Sequence, residues 1–222
     1  MSTEHRDPFS LTYVTYDSND PLGNCMALLT LTPIFIVVAL TALVVCGVLF
    51  DHRSSATAQA SVFLLGQLLN DGMSRMIKIM VSSVDALNFI SERPYSSDRK
   101  EGGMPSNHAQ SVGFFASYAV LLLCLECSVN VSPQNCRIRP ILIVSFAFLA
   151  VLVSYSRVHL GYHTALQVSV GLTLGAAVAL VFFLSGRSRC IKTIRAGVLG
   201  LIPSDRPLLL FNGPSRVLKT NQ

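Results

Sequence analysis

Charged side chains are scarce in this sequence: they make up 13% of its 222 residues, against 51% hydrophobic, and the mean hydropathy is +0.53. That scarcity excludes an ordinary soluble domain of this length and points to one integral membrane domain. Also missing is a partner for the Cys124-Leu-Glu-Cys127 stretch, because no second Cys/His pair follows to close a zinc site. The six cysteines are scattered, and Cys46, Cys124 and Cys127, inside apolar runs, are expected to be buried, inert thiols. No small-residue cleavage site separates the polar residues 1–24 from the apolar run behind them, so that run reads as an uncleaved signal-anchor. Internal repeats and low-complexity tracts are absent too.

What the chain has instead is long apolar stretches. A bilayer core takes roughly 20 apolar residues per helix, and the stretches 26–50, 57–80, 108–129, 140–157 and 164–185 meet or approach that length. The second is the weakest, being punctuated by Asn70, Asp71, Arg75 and Lys78; the two carboxamide and carboxylate positions read as interhelical hydrogen bonding. The expected fold is all-α, a polytopic membrane helical bundle of about five or six transmembrane helices. Arg53, Arg137, Arg139, Arg187, Arg189, Lys192 and Arg195 crowd one side of such a bundle. By the positive-inside rule that side is cytoplasmic, and the N-terminus faces the lumen or exterior. The basic tail is then a topology signal rather than a nucleic-acid arm, and no nucleic acid partner is expected. Asn130-Val-Ser132 matches the glycosylation acceptor pattern, but it falls on the cytoplasmic side with Pro133 following, so it is expected to be unmodified.

Three polar elements fall together on the non-cytoplasmic side: Arg93-Pro94, Pro105-Ser106-Asn107-His108, and Ser156-Arg157 with His163 six residues on. Ser106 is placed as the N-cap of the third stretch, where orphan amides and the positive end of the helix dipole favour an anion. Arg93 and Arg157 are planar cations that suit phosphate through paired hydrogen bonds. His108 and His163 open two further helices, so that one imidazole can attack phosphorus while the other protonates the departing oxygen. Gln167 lies four residues after His163 on one helical face and is expected to orient its ring. His159 is four residues before His163, a zinc-compatible spacing, but no third ligand accompanies the pair. Arg99 and Lys100, in the long 81–107 loop, read as solvated, or as holders of a second phosphate.

The order R-P, P-S-x-H, S-R-x5-H resembles the signature of the type 2 phosphatidic acid phosphatase superfamily. Within it, "LNDGMSRMIK", "GMPSNHAQ" and "VSYSRVHLGYHTALQV" are similar to the dolichyl diphosphatase branch, including Gln167 where other members carry Asp. The resemblance covers residues 11–185. Taken with the charge placement, it divides the chain into a lumenal N-terminal segment at 1–24, a membrane phosphatase domain at 25–186 and a cytoplasmic basic tail at 187–222. It implies His163 as nucleophile, His108 as general acid, Arg157 in the catalytic set, and Arg93, Ser106, Ser156 and Lys78 as phosphate binders. It implies a polyprenyl (dolichyl) diphosphate substrate in the bilayer of the endoplasmic reticulum, and no metal ion or other cofactor.

One departure stands out. The family places its lysine seven residues before the Arg of R-P, whereas Lys78 and Arg93 are fifteen apart. Were the eight extra residues helical, Lys78 would be displaced by roughly 12 Å along the axis; alternatively they bulge away. Two other readings stay open at this point: a broad-specificity phosphatase for phosphatidate or sphingoid phosphates, and a non-catalytic relic disabled by the expansion.

Overall fold

A computed structural model describes residues 6–9, 14–17, 19–50, 55–84, 91–94, 102–126 and 133–186. An antiparallel hairpin, β1 (Arg6–Phe9) and β2 (Val14–Asp17), pairs Arg6 with Asp17 and Phe9 with Val14. Among the described residues six helices follow: α1 (Gly23–Leu29), α2 (Thr32–Phe50), α3 (Ser55–Ser82), α4 (Asn107–Leu121), α5 (Pro133–His159) and α6 (Ala165–Gly186). A π-helical turn at Leu122–Glu126 ends α4. The expected helical bundle is present, and the hairpin is an addition to it.

Among the described residues three helical segments are long and apolar enough to cross a membrane: Gly23–Phe50, Ile138–His159 and Ala165–Ser185. The first combines α1 and α2, which break where Thr30 and Thr32 turn their hydroxyls back onto the carbonyls of Ala27 and Leu29, both at 2.7 Å. Pro33, without an N–H, restarts the helix beyond that break. By composition α3 and α4 fall short, because they bury polar side chains against each other. Gln67, Asn70, Ser74 and Lys78 form one buried stripe on α3. Gln67 Nε2 donates to Ser111 Oγ at 2.7 Å, Gln110 Nε2 donates to Asn70 Oδ1 at 3.2 Å, and Ser74 Oγ donates to Asn107 Oδ1 at 2.9 Å. At membrane depth, where water is absent, such groups must find partners on neighbouring helices, and these donors do, while Gln67 Oε1 and Gln110 Oε1 find none among the described residues.

The helix α4 is central, packing against α2, α3, α5 and α6. Its tightest neighbour is α6, whose Gly171 and Gly175 face the backbone of Ser106 and Gln110. A Cβ at Gly171 would sit 2.7 Å from the Ser106 carbonyl oxygen. This small-residue seam lets two backbones touch, as membrane helix pairs commonly do. It brings the first turn of α6 beside the first turn of α4, and the Ser106 amide donates to the Gln167 carbonyl at 3.2 Å. The inner core is aromatic, with Phe114 and Tyr118 rings stacked 5.7 Å apart between Phe63 and Phe182.

The outer surface carries Ile34, Phe35, Leu43, Ile141, Val144 and Phe148, all exposed, as a lipid-facing surface requires. Cys46 and Cys124 share that exposure, which corrects the expectation of buried thiols; Cys127 lies outside the described residues. Apolarity of a run signals lipid contact as readily as protein contact. Asn130, Arg99, Lys100 and the chain beyond residue 186 also lie outside the described residues.

Candidate active site

The S-R-x5-H spacing has a backbone cause. At the end of α5 the chain reverses through Gly161, whose φ of 74° lies in the left-handed region that glycine tolerates best. The reversal returns the amides of Tyr162 and His163 to the Arg157 carbonyl at 3.1 and 3.2 Å. Arg157, at the end of the Ile138–His159 span, and His163, between that span and the next, are thereby locked to one turn, and both side chains are buried.

On the first turn of α6 the expected pairing of His163 with Gln167 is present: Nδ1 lies 3.2 Å from Oε1. The carboxamide is fixed from both ends, since Oε1 accepts from the Thr164 amide at 3.2 Å and Nε2 donates to the Glu92 carbonyl at 2.8 Å. A carbonyl oxygen can only accept, so Nδ1 carries the proton and Nε2 holds the free lone pair. That is the tautomer a nucleophilic imidazole needs. Gln167 also joins all three polar elements, touching His163 by its oxygen, the 91–94 segment by its nitrogen, and Ser106 through its main chain.

Cations surround the ring. Burial, and then the charges of Arg157, Arg93 and Lys78, push the His163 pKa down to about 3, against a smaller upward pull from Gln167. The imidazole is neutral at every physiological pH. Because the unfolded chain would take up a proton near 6.5, acidification from there towards 3 withdraws stability from the fold. Arg93 and Arg157 are held in place. Arg93 Nη2 donates to the Gly102 carbonyl at 3.3 Å, and the neighbouring Gly103 amide donates to the Ser91 carbonyl at 2.5 Å. Arg157 lies 4.6 Å from the centre of the Tyr162 ring, a cation–π contact.

Tyr162 was not legible as a site residue, although it adjoins His163 in sequence. Its hydroxyl accepts from the Thr15 amide at 2.9 Å and meets Thr15 Oγ1 at 3.0 Å. Val14, Met26, Ala27, Leu160 and Tyr162 form a second small core, so the N-terminal hairpin and α1 buttress the turn that carries Arg157 and His163. His159, the other half of the zinc-compatible pair, turns to Asp20 instead, with Nε2 2.6 Å from Oδ2. The Leu22 amide and then His159 hold the Asp20 carboxyl below the usual carboxylate range. Among the described residues no group of three or more His, Cys, Asp or Glu side chains comes together to hold a metal ion.

Lys78 is buried, and its charge reaches His163. The helix α3 ends at Ser82, closed by the Ser83 amide on Ile79 and the Val84 amide on Val81, rather than running on through the extra residues. The alternative in which a continued helix withdraws the lysine is therefore set aside; residues 85–90 lie outside the described residues. Ser106 occupies the N-cap position of α4 as expected, but its hydroxyl makes no capping bond. Fully buried and without a hydrogen-bond partner among the described residues, Ser106 Oγ is an unspent donor and acceptor at the helix N-terminus. The proton of Ser156 Oγ is committed to the Val153 carbonyl at 2.7 Å, leaving only its lone pairs for other contacts. His108, half-buried, opens onto a cleft of about 630 Å³ between α2, α3 and α4.

A neutral imidazole with a directed lone pair, three nearby cations and an unspent buried hydroxyl can bind a phosphoryl group and attack it. The PAP2 superfamily profile matches residues 83–189, which include both histidines, Arg93, Arg157, Ser106 and Gln167. Dolichyldiphosphatase 1 of Homo sapiens is 34% identical over 182 residues, covering 80% of this chain and 70% of its own. Dolichyldiphosphatase of Saccharomyces cerevisiae is 32% identical, covering 81% and 70%. Lipid phosphate phosphatase gamma of Arabidopsis thaliana is 31% identical, covering 78% and 71%. The fold is similar to that of a transmembrane PAP2 type phosphatidylglycerolphosphate phosphatase from Bacillus subtilis, at a TM-score of 0.53 and 19% identity over 78% of this chain and 81% of that one. With these relatives and this arrangement of helices, the chain belongs to the PAP2 superfamily and is a multi-pass membrane lipid phosphatase, a hydrolase of the PAP2 kind.

Proposed function

We propose that the protein hydrolyses dolichyl diphosphate to dolichyl phosphate and phosphate at the lumenal face of the endoplasmic reticulum, returning the lipid carrier to protein N-glycosylation. The observation that carries the chemistry is the His163–Gln167 contact inside a ring of cations, because it leaves Nε2 both unprotonated and aimed away from its anchor. Nε2 attacks the terminal phosphorus, the bond from that phosphorus to the bridging oxygen breaks, and His108 gives its proton to the departing lipid phosphate. Water then attacks the phosphohistidine, His108 takes the water's proton, and inorganic phosphate leaves with His163 restored. Arg93, Arg157, Lys78 and the hydroxyl of Ser106 neutralise and hold the oxygens of the transferred group. Ser156 supports the same pocket through its lone pairs. Support for the substrate comes from the dolichyldiphosphatase relatives of human and yeast.

The relative named lipid phosphate phosphatase gamma favours a second reading, a broader lipid phosphate phosphatase. Purified protein in detergent with EDTA, assayed against dolichyl diphosphate and phosphatidate, separates the two. A preference for the diphosphate lipid is expected; a preference for monophosphate lipids would sink the dolichyl assignment. Inactivity towards both would favour the non-catalytic relic.

Gln167→Asp tests the ring's anchor. A carboxylate on Nδ1 favours the imidazolium, so the His163 pKa rises and the acidic limb of the rate profile moves to higher pH by about one unit or more. A profile that does not move would mean that the 167 side chain does not set the ionisation of His163.

A further inference from the structure

The groups gathered around His163 serve the one phosphate that is transferred, and a diphosphate lipid carries two. We propose that Arg75, on α3, binds the phosphate that remains on the lipid, and so sets the preference for diphosphate over monophosphate substrates; this rests on the reading given under the proposed function. Arg75 lines the cleft between α2, α3 and α4 together with His108 and Asn107. The far wall of that cleft is apolar, built from Ile34, Val37, Val38 and Leu68. One end is polar, where Arg75 stands beside Asp71, and the other is oil, which is the polarity of a phosphorylated chain. His108, the proton donor to the leaving oxygen, lines the polar end, so the departing lipid phosphate must pass there.

The helix geometry orders the two phosphates. Arg75 precedes Lys78 by three residues, so the two side chains emanate from adjacent turns about 4.5 Å apart along the axis. Lys78 is buried on the His163 side, whereas Arg75 is exposed to the cleft. Asp71, one turn earlier, lines the same cleft and interacts electrostatically with Arg75 without closing on it. Its Oδ1 accepts from Gln67 Nε2 at 3.4 Å and Asn70 Nδ2 at 3.5 Å, towards the interior, and no ion pair within 4 Å joins it to Arg75. An arginine inside a membrane helix is costly unless something anionic meets it, and its planar fork suits two phosphate oxygens. As the bridging bond breaks, charge grows on the oxygen of the leaving phosphate, next to both Arg75 and His108.

The test uses the full chain in detergent with farnesyl diphosphate and farnesyl monophosphate as probes. Arg75→Gln is expected to lower the ratio of kcat/KM for the diphosphate over the monophosphate at least tenfold, and Arg75→Lys to recover part of that ratio. An unchanged ratio in Arg75→Gln, whether both activities persist or both fall together, overturns the subsite and leaves the diphosphatase reading intact. A wild-type protein that hydrolyses only the monophosphate overturns the diphosphatase reading, and the subsite with it.

Discussion

His163→Ala is expected to lower lipid phosphate hydrolysis by roughly 10⁴-fold or more, because a covalent mechanism without its nucleophile retains only binding and electrostatic stabilisation. The fold should survive. Gln167, the one side chain that anchors the ring, keeps its bonds to the Thr164 amide and the Glu92 carbonyl, and the turn itself is held by main-chain bonds to Arg157. Removing a desolvated imidazole from among three cations even relieves the acid sensitivity it brings. The measurement is initial rate beside an unfolding midpoint for each protein. A loss of less than tenfold at unchanged stability would mean that another group attacks phosphorus.

His108→Ala is expected to have the next largest effect, and a selective one. General acid catalysis contributes roughly 10²- to 10⁴-fold, and only where the leaving oxygen needs a proton. Release of a lipid phosphate should therefore slow by about that factor, whereas p-nitrophenyl phosphate, whose leaving group departs unprotonated, should slow by less than about tenfold. Comparison of the two substrates in one variant separates the proton donor from a residue that merely holds α4 in place, because a structural role would depress both alike.

Much of this site was legible because its logic is local. The His163–Gln167 pair follows from helical periodicity, and Ser106 from the preference of hydroxyl residues for helix starts. Local logic stops at the side chain's destination. Ser106 takes the N-cap position yet leaves its hydroxyl unspent, and the proton of Ser156 goes to its own helix. Lys78 was undecidable from spacing alone, since helix and bulge predict opposite positions; the end of α3 at Ser82 and the reach of its charge to His163 speak against the continued helix. Tyr162 and the β1–β2 hairpin were missed because their contacts span most of the chain: Thr15 and Tyr162 are 147 residues apart. The polar punctuation of α3 was read correctly as interhelical bonding, but which partners it would choose on α4 depended on register. The thiols were misplaced for the converse reason, since an apolar run in a membrane does not say which face meets protein.

The central claim is that phosphate passes through the Nε2 atom of His163 on its way from lipid to water. Rapid quenching of the wild-type protein into alkali during turnover of a diphosphate lipid, with EDTA present, followed by peptide mapping, tests it most directly. The account predicts an alkali-stable, acid-labile phosphate on His163 that forms and decays as fast as product appears. Phosphate on a different residue, or full turnover with no phosphorylated peptide at any time point, would contradict it.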